Sequence, residues 1–177
     1  RAAADCSAAF DASLVETHAS GERGKWWFAT HFTYEGEPIS PWHDVPFSAG
    51  GESPERVHFV CEIARGTTAK FESHKGLAKN PIRQDLKKDG ETVREYAYGP
   101  SLCNYGALAQ TWEDPTVPDD DTGLGGDNDP IDVLQLNARP CALGEVYAVR
   151  VLGALALIDD DETDHKLLVV DAADPAT

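Results

Sequence analysis

The sequence predicts a mainly β fold, most simply a small closed or partly open barrel. Three observations support this prediction. Residues 56–64 alternate between the two faces of a strand, with Val57 and Phe59 on one face and His58 on the other. Residues 145–159 form a long β-rich run, and long helical patterns are scarce along the chain.

Composition narrows the class of protein. The 177 residues suffice for one domain with a core, and no apolar run approaches the ~20 residues of a membrane span. The formal charge of −16 argues against nucleic acid as a partner and favours solubility or cation binding. The four cysteines lie far apart without CxxC spacing, which disfavours zinc and a secreted disulfide framework and favours a reducing compartment. They are Cys6, Cys61, Cys103 and Cys141.

The N-terminal part divides into an arm and a first strand. Residues 1–24 carry little pattern and are predicted to form a loose arm, so that residues 25–177 make up a single domain. Residues 24–34 are dense in aromatic and β-branched side chains, which is typical of a strand. A turn at Glu35-Gly36-Glu37-Pro38 closes this strand.

The next predicted feature is a pair of strands that carries charged residues on one face. Residues 69–72 are expected to pair with residues 56–64, which would bring Glu62, Lys70 and Glu72 together. An ordinary cross-strand ion pair, worth ~0.2–1 kcal/mol, remains an open alternative to a functional site. Residues 92–96 are predicted as another strand.

The stretch Gly126-Asp127-Asn128-Asp129-Pro130-Ile131-Asp132 lies where a mobile, solvated acidic loop at residues 118–126 meets an apolar run. If Asp127 and Asp129 are extended they share one face, and Pro130 lets Asp132 return toward it. Carboxylates packed so closely repel one another unless a divalent cation lies between them. A solvated acidic turn is the alternative. It is less favoured because the acids run directly into the apolar residues Ile131, Val133 and Leu134. The spacing does not match an EF-hand.

A second acidic cluster, at residues 159–166, again precedes an apolar strand, predicted at residues 167–170. Two such clusters are better explained by a common cation site than by two solvated loops. Lys70, Arg94 and Lys166 lie beside acids, and Tyr105 lies in a Gly/Asn context. An acidic site with a few cations suits an anionic, metal-complexed substrate such as a phosphate ester or anhydride.

Several motifs, in the right order over roughly residues 25–175, resemble soluble family I inorganic pyrophosphatases, and eukaryotic and plastid types in particular. The first is Asp127-Asn128-Asp129-Pro130-Ile131-Asp132-Val133. The others are Pro41-Trp42-His43-Asp44-Val45-Pro46, Glu62-Ile63, Ala69-Lys70-Phe71-Glu72, Asn80-Pro81-Ile82-Arg83-Gln84-Asp85, Asn104-Tyr105-Gly106, Gln110-Thr111-Trp112-Glu113-Asp114-Pro115 and Glu162-Thr163-Asp164-His165-Lys166.

The resemblance implies a role for each of the acids. Asp127, Asp132 and Asp164 would bind the metal ions that activate a water, and Asp129 would be the catalytic general base. The resemblance also implies further acidic and substrate-binding residues. Asp159 and Glu72 would bind the metals that accompany the substrate. Glu62 and Glu113 would either bind a metal directly or contact the residues that do. The phosphate-binding residues would be Lys70, Arg94, Tyr105 and Lys166.

The resemblance further implies an OB-like five-stranded closed β-barrel with peripheral strands and few helices. Its reaction is the hydrolysis of inorganic diphosphate to two phosphates by a metal-activated water, with several Mg²⁺ ions per site. Two departures point to a rival, a weak or inactive pyrophosphatase-like structural subunit of a larger assembly. Ser101 replaces a tyrosine common in the family, and the chain stops at Thr177, before the family's C-terminal helical part.

Compartment and assembly are predicted less directly. The chain starts at Arg1, contains no methionine and is rich in Ala and Ser over residues 1–12, which favours organelle import. The resemblance also implies that plastid-type relatives lack the tyrosine that Ser101 replaces. This favours the plastid stroma over the mitochondrial matrix, with a cytoplasmic location as the alternative. A homodimer and a subunit of a larger complex both remain open.

Overall fold

The structure, a computed structural model, describes residues 10–50 and 56–174. The regular elements of this part of the chain are strands, apart from one short 3₁₀ turn at Ala12–Leu14. In chain order the strands are β1 (Val15–Ser20), β2 (Ala29–Tyr34), β3 (Glu37–Ile39), β4 (Arg56–Ile63), β5 (Phe71–Ser73), β6 (Ile82–Gln84), β7 (Asn104–Leu108), β8 (Asp132–Gln135), β9 (Val146–Asp159) and β10 (Glu162–Asp171). No helix in the described ranges has the length and apolar character that a membrane crossing requires.

Five strands close into a barrel in the order β10, β8, β7, β4, β9. All neighbouring pairs are antiparallel except β8 and β10, which run parallel. A second sheet, in the order β1, β2, β6, β5 with β3 beside β2, lies outside the barrel. The predicted mainly β architecture, a closed five-stranded barrel with peripheral strands and few helices, is confirmed.

Strand β4 is buried on both faces. Val57, Phe59 and Cys61 belong to one apolar cluster, while Val60 and Ile63 belong to a second cluster that includes residues of the peripheral sheet. Because the two clusters lie on opposite sides of β4, even His58 and Glu62 of this strand are buried, and Glu62 is only 3% exposed. The fold thereby buries the carboxylate of Glu62 near the C-terminal end of β4.

The barrel is tightest where β4 and β7 cross. A Cβ atom at Gly106 would overlap the carbonyl oxygen of Val60 and lie 2.9 Å from the amide nitrogen of Glu62. Glycine is required here because the two backbones approach each other so closely. This contact fixes the backbone of β7 next to Tyr105, the neighbour of Gly106.

Three local predictions are wrong. The predicted loose arm over residues 1–24 contains β1, which pairs along its whole length with β2; residues 1–9 lie outside the described part. The strand at residues 71–73 pairs with β6 and not with β4, because β7 and β9 already occupy both edges of β4. Residues 92–96 form isolated bridges instead of a strand, since Val93 and Glu95 bond to different neighbours.

Two of the cysteines form a disulfide, Cys61–Cys141, although the spacing of the cysteines disfavoured a disulfide framework and favoured a reducing compartment. Spacing along the chain did not reveal it because the partners are 80 residues apart and meet only when the barrel closes. Cys103 is a free, half-buried thiol, and Cys6 lies outside the described residues. The bond fastens the segment before β9 to β4, where Cys61 also exchanges backbone hydrogen bonds with Gly144 and Glu145.

Candidate functional site

The acidic turn before β8 is bent, not extended. Asn128 adopts a left-handed conformation with φ of 67°, and Asp127 Oδ1 accepts a hydrogen bond of 2.9 Å from the amide of Asp129. The expectation that Asp127 and Asp129 share a face as alternating strand residues is therefore wrong. The turn nevertheless brings both carboxylates to the same cleft, and Asp132 joins them as the first residue of β8.

Glu113 fastens this turn through its backbone. Its amide donates to the carbonyl of Asp129 (2.9 Å), and its carbonyl accepts from the amide of Asn128 (3.0 Å). Gly126 passes so close that a Cβ atom there would lie 2.6 Å from the Cβ of Glu113. The loop predicted to be mobile is thus tied down at its end, and Gly126 also forms a bridge with Thr163.

Strand register brings the two acidic clusters together. Lys166 of β10 is the register partner of Asp132 in β8, and Asp164 lies two residues earlier on the same face of β10. The Lys166 ammonium donates to Asp132 Oδ2 and to both oxygens of Asp164, each at 2.6 Å. The hydroxyl of Tyr105 donates to Asp132 as well. A single parallel pair of strands thus builds the centre of the site.

One cleft of about 370 Å³ gathers nearly every site residue named from the sequence. Glu113 is the exception, because it lines a neighbouring pocket together with His165. The cleft is lined by Glu62, Lys70, Phe71, Glu72, Ser73, Arg94, Tyr96, Tyr105, Asp127, Asp129, Pro130, Asp132, Asp159, Asp164 and Lys166. The expected meeting of Glu62, Lys70 and Glu72 therefore occurs, although β4 and β5 do not pair.

Glu113 has an incomplete set of partners. Its Oε1 accepts from the amide (3.1 Å) and the ring Nδ1 (2.8 Å) of His165. The side chain is only 4% exposed. Its Oε2 is therefore shielded from water, and it has no hydrogen-bond partner among the described residues. One carboxylate oxygen of Glu113 lies within 4.8 Å of an oxygen of Asp127 and one of Asp164. These three groups offer hard oxygen donors of the kind that Mg²⁺ and Ca²⁺ prefer.

Burial makes the ionised forms of several acids unfavourable. Desolvation raises the pKa of Glu62 to about 8, although the amide and hydroxyl of Ser73 both donate to it at 2.7 Å. Desolvation likewise raises the pKa of Asp132 to about 6, against the opposing effect of Lys166. The pKa of Asp127 is raised by burial and by the neighbouring charges of Asp129 and Asp164. A bound cation would relieve this accumulated cost.

The cationic wall of the cleft is paired with acids. Lys70 contacts Glu72 and Asp85 at 3.1 Å each, and Arg94 contacts the same oxygen of Asp85. Burial alone would lower the pKa of Lys70, but Glu72 and Asp85 outweigh it and raise that pKa, so the ammonium stays charged. Glu72 and Asp85 therefore hold the cationic ends of Lys70 and Arg94 in place in the cleft.

Asp159 and Glu72, the residues expected to bind the metals that accompany the substrate, lie at the rim of the cleft. Asp159 ends β9, and Asp160 and Asp161 form the two-residue hairpin into β10, both with positive φ (46° and 67°). Glu72 lies in β5 beside Lys70. Both Asp159 and Glu72 are exposed, so a cation held there would remain largely hydrated.

Sequence reasoning gave no role to four residues of the site. Lys75 contacts Asp129 at 2.8 Å, Asp85 contacts Lys70 and Arg94, and His165 contacts Glu113. The ring of Tyr96 lines the cleft. Asp85 and His165 belong to motifs that carried the family resemblance and could have been singled out there. Lys75 has no local signal, since only the course of the chain after β5 brings it to Asp129.

Comparison with known protein families gives a consistent result. Residues 59–177 match the family model described as inorganic pyrophosphatase. The chain is 44% identical to the inorganic pyrophosphatase of Bos taurus over 143 residues, 80% of this chain and 48% of that protein. It is 38% identical to soluble inorganic pyrophosphatase 1, chloroplastic, of Chlamydomonas reinhardtii over 175 residues, 99% of this chain and 60% of that protein.

Comparison with solved structures extends the similarity to the whole described fold. The crystal structure of an N-terminally truncated vacuolar soluble pyrophosphatase of Trypanosoma cruzi, in complex with PPi, matches with a TM-score of 0.84 and 34% identity. The match covers 99% of this chain and 72% of that one. The chain spans about half the length of the bovine relative.

Proposed function

Since the chain belongs to the inorganic pyrophosphatase family, we propose that it contributes the active site of an enzyme that hydrolyses inorganic diphosphate to two phosphates. The observation that supports this most strongly is the single cleft in which acids and three cations face one another. Diphosphate carries several negative charges on small oxygen-rich groups, so its site must supply positive charge and hydrogen-bond donors. Lys70, Arg94 and Lys166 supply both.

Mg²⁺ is the proposed cofactor, with several ions per site. Asp127, Asp132 and Asp164 would hold the ions nearest the attacking water, and Glu72 and Asp159 those at the rim. The orphaned Glu113 oxygen favours a cation near Asp127 and Asp164, because a buried carboxylate oxygen without a donor is otherwise costly. Bound cations would offset the charge of diphosphate and lower the pKa of a water molecule. Glu62 and Glu113 would support this arrangement from behind.

Asp129 is the proposed general base. Its side chain is 40% exposed and lines the cleft, and the ammonium of Lys75 contacts it at 2.8 Å. Lys75 thereby holds the carboxylate in place at the mouth of the site. Asp129 would take the proton of the attacking water while Lys70, Arg94, Tyr105 and Lys166 hold the phosphoryl oxygens. Charge that develops on the leaving phosphate would meet the same cations.

A plastid location is part of the proposal. It is supported by the similarity to the Chlamydomonas reinhardtii protein, whose name places it in the chloroplast, over nearly the whole chain. A fluorescent fusion of the complete gene product would test it, since plastid import and a diffuse cytoplasmic signal are distinguishable.

Phosphate release from diphosphate, measured with and without Mg²⁺ on the full chain, tests the function. Asp129→Asn removes the base but keeps the size of the side chain, so we expect kcat to fall by about 10²–10⁴. The matched control is Asp121→Asn, an exposed acid outside the cleft, which should leave turnover unchanged.

The outcomes separate two claims. A folded wild-type chain that releases no phosphate with Mg²⁺ would refute the proposed reaction. Turnover of Asp129→Asn equal to that of the control would retain the reaction and refute the role of Asp129.

A further inference from the structure

Tyr96 places a phenol in the cleft by way of an irregular segment. Its ring packs, partly buried, against the apolar cluster that includes Ile63 and Phe71, and its amide donates to the carbonyl of Thr68 at 2.7 Å. Arg94, two residues earlier, lines the same cleft. The ring is therefore held by packing and its backbone by a hydrogen bond, while the residue remains part of the cleft wall.

Each of the other side-chain donors of the cleft already contacts an acid. Lys166 donates to Asp132 and Asp164, and the hydroxyl of Tyr105 donates to Asp132. On the opposite wall, Lys70 and Arg94 contact Asp85. The hydroxyl of Ser73, the remaining neutral donor, is given to Glu62.

The Tyr96 hydroxyl makes no hydrogen bond to any residue in the ranges 10–50 and 56–174. The ring is fixed, so this hydroxyl is a donor whose position is set before any ligand arrives, and an oxygen-rich anion in the cleft is the natural acceptor. Burial raises the pKa of the phenol, with Lys70 and Lys166 acting in the opposite direction to Asp132. The net shift is upward, so the group keeps its proton at neutral pH and acts as a donor.

The neighbouring hydroxyls are excluded from this role. Ser101 donates its hydroxyl to the carbonyl of Cys103 at 2.7 Å and does not line the cleft. Tyr98, two residues beyond Tyr96, is fully exposed outside the cleft. The segment thus contains two tyrosines of the same chemistry, one inside the site and one outside it.

We infer that the Tyr96 hydroxyl donates a hydrogen bond to a phosphoryl oxygen of diphosphate bound in the cleft. This rests on the proposed function for the identity of the anion. It makes Tyr96 a substrate-binding residue and gives this segment a second ligand beside Arg94. The bond adds a neutral donor where the cations already share their charge with Asp85, Asp132 and Asp164.

The test compares Tyr96→Phe with Tyr98→Phe in the full chain. Tyr96→Phe keeps the ring that packs against the apolar cluster and removes only the hydroxyl, so the thermal midpoint should match wild type. Two readouts are needed: KM and kcat for Mg²⁺-diphosphate, and the Kd of methylenediphosphonate, which cannot be hydrolysed. Loss of a hydrogen bond to a charged acceptor should weaken binding of the diphosphonate and raise KM by about tenfold. Tyr98→Phe should change neither value.

The outcomes distinguish this inference from the proposed function. Equal diphosphonate affinity in the two variants overturns the role of Tyr96, whether or not the wild type hydrolyses diphosphate. A tenfold loss confined to Tyr96→Phe supports the inference even if the wild type shows no turnover, in which case the proposed reaction alone fails. A wild type that neither binds the diphosphonate nor releases phosphate from diphosphate overturns both.

Discussion

At the scale of single residues, Glu62 shows how the fold imposes an unusual chemical state. It is the second-last residue of a strand that is buried on both faces, and within the described part of the chain only Ser73 donates to its side chain. An isolated buried carboxylate is stable when protonated, which is why its pKa is raised to about 8. Repulsion from Asp132 and Glu72 acts in the same direction.

Glu62 should make the metal-free protein less stable as the pH rises. The unfolded carboxyl has a pKa of about 4.5, so the stabilising contribution of the protonated folded form is complete below that pH and is lost up to about pH 8. The slope contributed by one proton is at most about 1.4 kcal/mol per pH unit. Urea unfolding with a chelator should show this slope in the wild type and a flatter profile in Glu62→Gln.

The exposed Glu91→Gln serves as the control for this experiment. A profile for Glu62→Gln with the same slope as the control would contradict the raised pKa of Glu62.

Which residues could be foreseen depends on how local their signal is. Asp127, Asp129 and Asp132 lie within six positions, so their association was predictable even though the extended geometry assumed for them was wrong. The contact between Lys75 and Asp129 joins residues 54 positions apart and has no pattern in the chain. The sequence shows which side chains are acidic or basic. Which of them contact one another depends on the three-dimensional course of the chain.

At the scale of elements, strands with strong alternation were predicted well and their partners were not. Residues 56–64 were recognised by their alternation and residues 145–159 by their β-rich composition. Pairing β4 with β5 followed from their closeness in sequence, but β4 uses both edges for β7 and β9, which come much later in the chain. Partner choice is set by barrel closure, a long-range event that local periodicity does not encode.

Two glycines of the barrel should respond in opposite ways to an added methyl group. In Gly106→Ala the new Cβ meets the backbone of Val60, which cannot rotate away, so we expect a loss of about 1–3 kcal/mol. In Gly153→Ala, within β9, the Cβ meets open space, so stability should stay the same or rise by up to about 1 kcal/mol. Urea unfolding of both variants measures the difference, and equal stabilities would show that β7 can move away from β4.

At the scale of the whole molecule, the disulfide links regions that are distant in the chain. Cys61 and Cys141 close a loop that contains β5 to β8, and with them most of the cleft. Such a cross-link acts mainly by restricting the unfolded chain. The barrel would thus be stabilised without any new contact at the site.

Reduction should therefore lower the free energy of unfolding by about 2–4 kcal/mol. Urea unfolding of the wild type with and without a thiol reductant measures this change. Cys141→Ala should be insensitive to the reductant, whereas Cys103→Ser, which alters the free thiol, should respond like the wild type. Identical wild-type curves in both conditions would show that the bond contributes nothing to stability.

The parallel pairing of β8 and β10 has a consequence for the order of events at the site. Register places one ammonium, that of Lys166, on the oxygens of both Asp132 and Asp164. Through these contacts Lys166 competes with any divalent ion that would need the same oxygens. Lys166 must give them up when such an ion binds, and it then has hydrogens to offer an incoming anion. By reciprocity each ligand would strengthen the binding of the other, with the cation favoured as the first to arrive.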